Sequence, residues 1–268
     1  MTTEGFGNPK GVPPMSSIGG YLASSAAVAA TLAERPGVAA VERAARLVAD
    51  ALAGGGQVLF CGNGGSAADA QHLAAELMGR LQLERPAYRA VALTTDTSVL
   101  TAVGNDYGYA DVFARQVEGL GRPGDVLVAI STSGRSENVL RAAAKANAKG
   151  MVVVALLGPA ASPLDDTAEV ALHVDGDIAG LVQQGHITIG HALCGWVEQR
   201  LVHRRGRAQR KRLAGRRSAS RAGRRCSWTA TAPWSRRCRT CTTRVGWSSW
   251  VGWPHLGGWP RPATPWWW

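Results

Sequence analysis

No run of 18 or more apolar residues occurs anywhere in this 268-residue chain, and its N-terminus lacks the charged-then-apolar layout of a secretion signal. Neither membrane spanning nor export is expected, and a reducing cytoplasm is. Cysteine is scarce: Cys61, Cys194, Cys226, Cys238 and Cys241 give no even framework, and just Cys238 and Cys241 stand at C-x-x-C spacing. With no second pair, that spacing is weak grounds for zinc. No internal repeat is present. Acid is missing altogether beyond Arg200. Residues 1–200 hold 14 Lys/Arg against 19 Asp/Glu, a net of −5, whereas residues 201–268 hold 16 Lys/Arg and no acid. The formal charge of +11 therefore describes neither part.

The basic stretch also carries nine of the ten tryptophans, ends Trp266-Trp267-Trp268 and shows neither 3.6 nor 2.0 periodicity. Clustered arginines with interleaved tryptophans suit counterion release from phosphates and stacking on bases. The abrupt change of composition inside an amphipathic helix, with repeated Arg-Arg and Trp-Ser pairs, reads instead as the out-of-frame end of a GC-rich gene. The expectation is thus an unstructured tail over 203–268 that touches nucleic acid only non-specifically. Residues 1–19 read as a flexible N-terminus, leaving 20–202 as one folded domain.

Within that domain, helical patterns alternate with short apolar runs, the mark of an α/β fold with a parallel sheet covered on both faces. Helices are expected near Gly20–Leu32 and Val38–Ala53, the second stopped by Gly54-Gly55-Gly56. Strands are expected at Gln57–Phe60, Arg89–Leu93, Val126–Ile130, Met151–Leu157 and Val170–His173. Further helices fall at Ala67–Gly79, Thr97–Val103, Ser136–Ala148 and Ile178–Val202. Ligands of such sheets bind beyond the carboxyl ends of the strands, so the loops after the first and third strands are where a site is expected.

Both loops carry chemistry. After Val58-Leu59-Phe60 the chain breaks into Cys61-Gly62-Asn63-Gly64-Gly65-Ser66 and restarts as a helix on which His72 and Glu76, four residues apart, share one face. After Ile130 comes Ser131-Thr132-Ser133-Gly134-Arg135-Ser136, with a helix from Glu137. One serine suffices as a helix cap. Four hydroxyls and a glycine at a helix start exceed that need and suit a phosphate, which the backbone amides and the positive end of the helix dipole also attract. A carboxylate behind such a loop is partly desolvated and strengthened as a base, and an imidazole serves as an acid near neutral pH.

The Cys61–His72 block, Val103-Gly104-Asn105-Asp106-Tyr107-Gly108, Ile130–Gly134, and Gln183, His186 and His191 together resemble the sugar isomerase (SIS) family over roughly residues 20–202. The resemblance implies a single SIS domain, a five-stranded parallel sheet flanked by helices in a flavodoxin-like three-layer sandwich. It further implies aldose–ketose isomerisation of sedoheptulose 7-phosphate to D-glycero-D-manno-heptose 7-phosphate through an enediol, with Glu76 and His191 as base and acid. Ser131, Thr132, Ser133 and Ser136 would hold the phosphate, and Asn63, Gly64, Ser66, Asp96 and Gln183 the sugar. His72, Glu76, Gln183 and His191 would bind zinc, and the chain would form a homotetramer.

Two other roles occur in the same family: a non-catalytic tetramer that binds a replication initiator protein, and sugar-phosphate sensing. Retention of Glu76, Gln183 and His191 favours the enzyme, and no helix-turn-helix precedes Gly20. The chain departs from the usual Gln-Glu-x-His at Gln183-Gln184-Gly185-His186 and carries Arg135 where Asn is commoner.

Overall fold

The structure, a computed structural model, describes residues 17–222. Backbone packing divides the chain into Met1–Ala219 and Ser220–Trp268, and the first unit holds every strand among the described residues. Ser17 caps its first helix, the Oγ accepting from the Gly20 amide at 2.9 Å. Helix α1 then runs Ile18–Leu32 and α2 Arg35–Ala53, with a proline in the first turn of α2, where the missing N–H has no intrahelical partner to lose.

Strands and helices alternate from there: β1 Val58–Gly62, α3 Gly65–Met78, β2 Ala90–Ala92, α4 Thr97–Asp106, α5 Ala114–Leu120, β3 Val126–Ser131, α6 Glu137–Ala148, β4 Val152–Leu157, β5 Val170–His173 and α7 Ala179–Ala222. Short 3₁₀ turns at Tyr109–Asp111 and Asp165–Thr167 precede α5 and β5. The strands form one sheet in the order β2-β1-β3-β4-β5, every neighbouring pair parallel. The expected five-stranded, three-layer α/β domain is therefore what the chain forms.

Burial on both sides explains why the strands read as apolar runs. Val58 and Phe60 of β1, Val126, Val128 and Ile130 of β3, and Val154 and Leu156 of β4 enter a core shared with α1, α2, α3 and α7. The intervening Leu59 and Cys61, Leu127 and Ala129, and Val153, Ala155 and Leu157 enter a second core with α4, α5 and α6. Alternate side chains point to opposite faces of a strand, so each strand feeds both layers.

The last helix differs from its expected bounds. It continues through the start of the basic stretch to Ala222, because residues 203–222 hold no proline and consist mainly of arginine, alanine, lysine, leucine and glutamine, all good helix formers. The rest of the expected tail, and the expected N-terminal segment before Ser17, lie outside the described residues. No helix among the described residues is long and apolar enough to cross a membrane.

Candidate active site

In this strand order the chain leaves β1 for β2 on one side and returns to β3 on the other. The crevice between β1 and β3 is the topological switch point, and the two motif-bearing loops open into it. Leaving β1, the backbone turns at Gly64 with φ +55°, a left-handed value that a side chain would resist, and enters α3. Gly65 is required for a different reason. The amide of Gln183, reaching over from α7, occupies the space of a β-carbon at residue 65, with Nε2 only 2.5 Å from where that atom would stand. Gln183 is thereby seated on the glycine turn beside Asn63 and Gly64, while Ser66 is buried behind it.

Asn63 is held by a reciprocal amide pair. Its Nδ2 donates to Asn138 Oδ1 at 2.9 Å, and Asn138 Nδ2 donates back to Asn63 Oδ1 at 2.8 Å, with Tyr109 hydroxyl donating to the same Oδ1 at 3.2 Å. Asn138 and Tyr109 are not among the residues expected from the sequence. A signal for Asn138 exists: it lies four residues before Ala142, on the face of α6 whose Val139, Ala142 and Ala146 are fully buried, so a polar side chain there needs a polar partner.

Two and three turns along α3 stand His72 and Glu76, with His72 Nε2 3.3 Å from Glu76 Oε1. His191 on α7 brings its Nε2 to 2.8 Å from His72 Nε2, the two rings meeting edge to face with centroids 5.0 Å apart. At that separation one imidazole must donate and the other accept. The ligand atoms of all three residues lie within 4.8 Å of one another. Two imidazole nitrogens and a carboxylate oxygen converging in this way form a donor set that zinc accepts. Glu76 is the more enclosed, its side chain 19% exposed against 49% for His72.

Asp69, one turn before His72, has its carboxyl pushed up to about 6 by burial, which the nearby His72 offsets only partly, and its Oδ2 is buried without a hydrogen bond. Neither buried thiol is a candidate nucleophile: burial pushes both Cys61 and Cys194 up to about 12.

The hydroxyl turn after β3 is tightly made. Ser131 Oγ accepts from the Gly134 amide at 3.1 Å and faces Ser136 Oγ at 3.3 Å, and Ser133 Oγ accepts from the Arg135 amide at 3.2 Å. Ser136 is the N-cap residue of α6 but makes no capping bond with its side chain. The hydroxyls of Ser131 and Ser136 thus gather at the positive end of a twelve-residue helix, on the turn that also carries Thr132 and Ser133. Asp96 is placed differently. Its Oδ1 accepts from the Val99 amide at 3.0 Å as the N-cap of α4, and among the described residues no hydrogen bond ties it to either loop.

The chain that carries these turns and this cluster has relatives among known proteins. The SIS domain family model matches residues 20–158. The chain belongs to the SIS domain family. A phosphoheptose isomerase of Akkermansia muciniphila is 52% identical over 161 residues, 60% of this chain and 85% of that protein. One from a Bradyrhizobium species is 48% identical over 188 residues, 70% of this chain and 95% of that protein. The SIS domain of this chain also superposes on the solved phosphoheptose isomerase of Neisseria gonorrhoeae with a TM-score of 0.62 and 42% identity, covering 68% of this chain and 97% of that one.

Proposed function

We propose that this SIS domain is an aldose–ketose isomerase that interconverts sedoheptulose 7-phosphate and D-glycero-D-manno-heptose 7-phosphate in the cytoplasm. The observation that carries the reading is the convergence of Glu76 with His191 and His72 in a domain whose glycine turn and serine turn open at one switch point. The relatives bearing the name phosphoheptose isomerase support the substrate.

The reaction moves one hydrogen between C1 and C2 of the sugar. Starting from the ketose, the Glu76 carboxylate takes a proton from C1 while the C2 carbonyl oxygen receives one from His191, giving the enediol. Proton return to C2, with loss of the O1 proton, completes the aldose. Ser131, Thr132, Ser133 and Ser136 hold the phosphate at the head of α6, and Asn63, Gly64, Ser66 and Gln183 line the sugar; Asp96 is assigned to the substrate only through the resemblance.

The donor set of His72, Glu76 and His191 is the proposed zinc site; Gln183, whose amide lies against Gly65, is assigned to it only through the resemblance. Bound there, zinc would supply Lewis-acid stabilisation of the charge that develops on the enediol oxygens. Metal content and isomerase rate before and after chelation test this: a rate that falls with the metal and returns on adding zinc supports it, and a metal-free protein at full rate overturns it. Assembly as a homotetramer is supported by an apolar groove of about 330 Å³ where Leu32, Val38, Val41, Ile189 and Trp196 line α1, α2 and α7, and by exposed Ile18 and Leu22. Light scattering reads it directly.

Glu76→Gln and His191→Ala are expected to lower kcat by about 10²–10⁴, the range for losing a positioned acid or base. Full activity in both variants would remove the assigned roles.

A further inference from the structure

The serine turn is not self-supporting; it is packed against the loop that leaves β4. A β-carbon on Gly134, whose φ is +62°, would collide with the Ser162 side chain, and one on Gly158 would collide with the Thr132 carbonyl. Arg135 Nη2 adds a long hydrogen bond to the Ala161 carbonyl at 3.4 Å. Wherever residues 158–162 sit, the serine turn must go with them.

What fixes residues 158–165 is a small polar cluster at the end of β5. Asp165 Oδ2 accepts from both the amide and the hydroxyl of Ser162, each at 2.8 Å. Asp165 Oδ1 lies 2.7 Å from His173 Nε2, and the other ring nitrogen, Nδ1, lies 2.8 Å from the Gly158 carbonyl. His173 is the register partner of Leu157, the residue before Gly158, so the ring ties the first residue of the loop to Asp165 farther along it. A carbonyl accepts only, and an ionised carboxylate accepts only. A neutral imidazole can satisfy one of these two contacts; the imidazolium satisfies both.

We propose that His173, as a cation clamped between Asp165 and Gly158, is the positioning residue that sets the grip of the serine turn on the substrate's phosphoryl group. It touches no substrate and acts through Gly158 on Thr132 and through Asp165 and Ser162 on Gly134. Burial alone would raise the Asp165 carboxyl, but the hydroxyl and amide of Ser162, together with His173, outweigh it and hold the group below its ordinary value, so it stays the ionised acceptor the clamp needs. The inference rests on the phosphate reading of Ser131–Ser136.

The full-length protein tests it through isomerisation kinetics and competitive inhibition by inorganic phosphate, with Ser133→Ala as the control on the phosphate reading. His173→Ala is expected to raise KM for the sugar phosphate and Ki for inorganic phosphate by one common factor, roughly three- to tenfold as for the net worth of one ordinary hydrogen bond, with kcat within about twofold. His173→Arg, a permanent cation with donors for both acceptors, is expected to restore both constants towards wild type. If Ser133→Ala weakens phosphate inhibition while His173→Ala leaves it unchanged, the clamp is wrong and the phosphate site stands. If Ser133→Ala leaves it unchanged, both fall. Equal weakening in His173→Ala and His173→Arg overturns the cationic clamp, and a loss confined to kcat overturns it too. Should His173→Ala fail to fold, His173→Gln, which reaches one acceptor, carries the same comparison.

Discussion

Asp69 shows what a single carboxyl beside the site does to the protein as a whole. Its folded-state value of about 6 lies above the ordinary 3.8, so the folded state holds the proton more tightly than the unfolded chain does. The stability it contributes is present in full below about pH 4 and is lost as pH rises through about 6. Asp69→Asn removes that dependence. Denaturant unfolding of the two proteins is expected to show the variant gaining on wild type between pH 4 and 6.5, by well under the roughly 1.4 kcal/mol per unit that a fully enclosed group would give, because this carboxyl is partly solvated. A constant difference across that range would mean that Asp69 is not perturbed.

At the level of elements, the geometry of the His–Glu–His cluster depends on how α3 is set against α7, and one buried pair sets it. Arg85 and Glu198 are both almost completely enclosed, 2% and 1% exposed, and meet at 3.0 Å. Glu198, two turns beyond His191 on α7, accepts from the amides of Leu81, Gln82 and Leu83, while Arg85 donates to the carbonyls of Glu76, Leu77 and Gly79 at the end of α3. Breaking the pair leaves a buried charge and several backbone groups without partners. Glu198→Ala is expected to cost about 3–5 kcal/mol in chemical denaturation and to lower isomerase activity even where the protein stays folded. Burial would raise the Glu198 carboxyl, yet the three amides and Arg85 hold it below its ordinary value, so its contribution is full above the ordinary carboxylate range and is lost as the pH falls from there through the lowered value.

None of this brace is visible in the sequence, since its partners are 113 residues apart and an enclosed arginine reads like an exposed one. The same reason hides the clamp on the serine turn and the Asn63–Asn138 pair, 75 residues apart. By contrast the inner strands are legible because both faces are buried: the apolar run Val126–Ile130 marks β3, and the glycine and serine turns stand out because phosphate chemistry is local in the chain. Helix α5 is not legible. Its seven residues span fewer than two turns, too few for a 3.6-residue period to show.

For the molecule as a whole, the deciding question is how much of the chain the activity needs. The packed part of α7 ends early: Leu201 is its last buried apolar residue among those described, and beyond it Arg204 meets Asp50 in an exposed pair at 2.9 Å, worth about 0–1 kcal/mol. Every residue assigned to the substrate, to zinc or to the proton transfer lies before Val202. A protein ending at Val202 is therefore expected to keep kcat and KM within about twofold, because neither the crevice nor its supports are touched. Its charge, however, falls from +11 to −5, the balance of 14 Lys/Arg against 19 Asp/Glu. The full chain should then bind duplex DNA at low salt without sequence preference, with an affinity that declines steeply and log-linearly with salt, whereas the shortened protein should not bind at all. Loss of isomerase activity on truncation would instead show that the basic segment serves the active site, and a DNA affinity that resists salt would show that more than counterion release is involved.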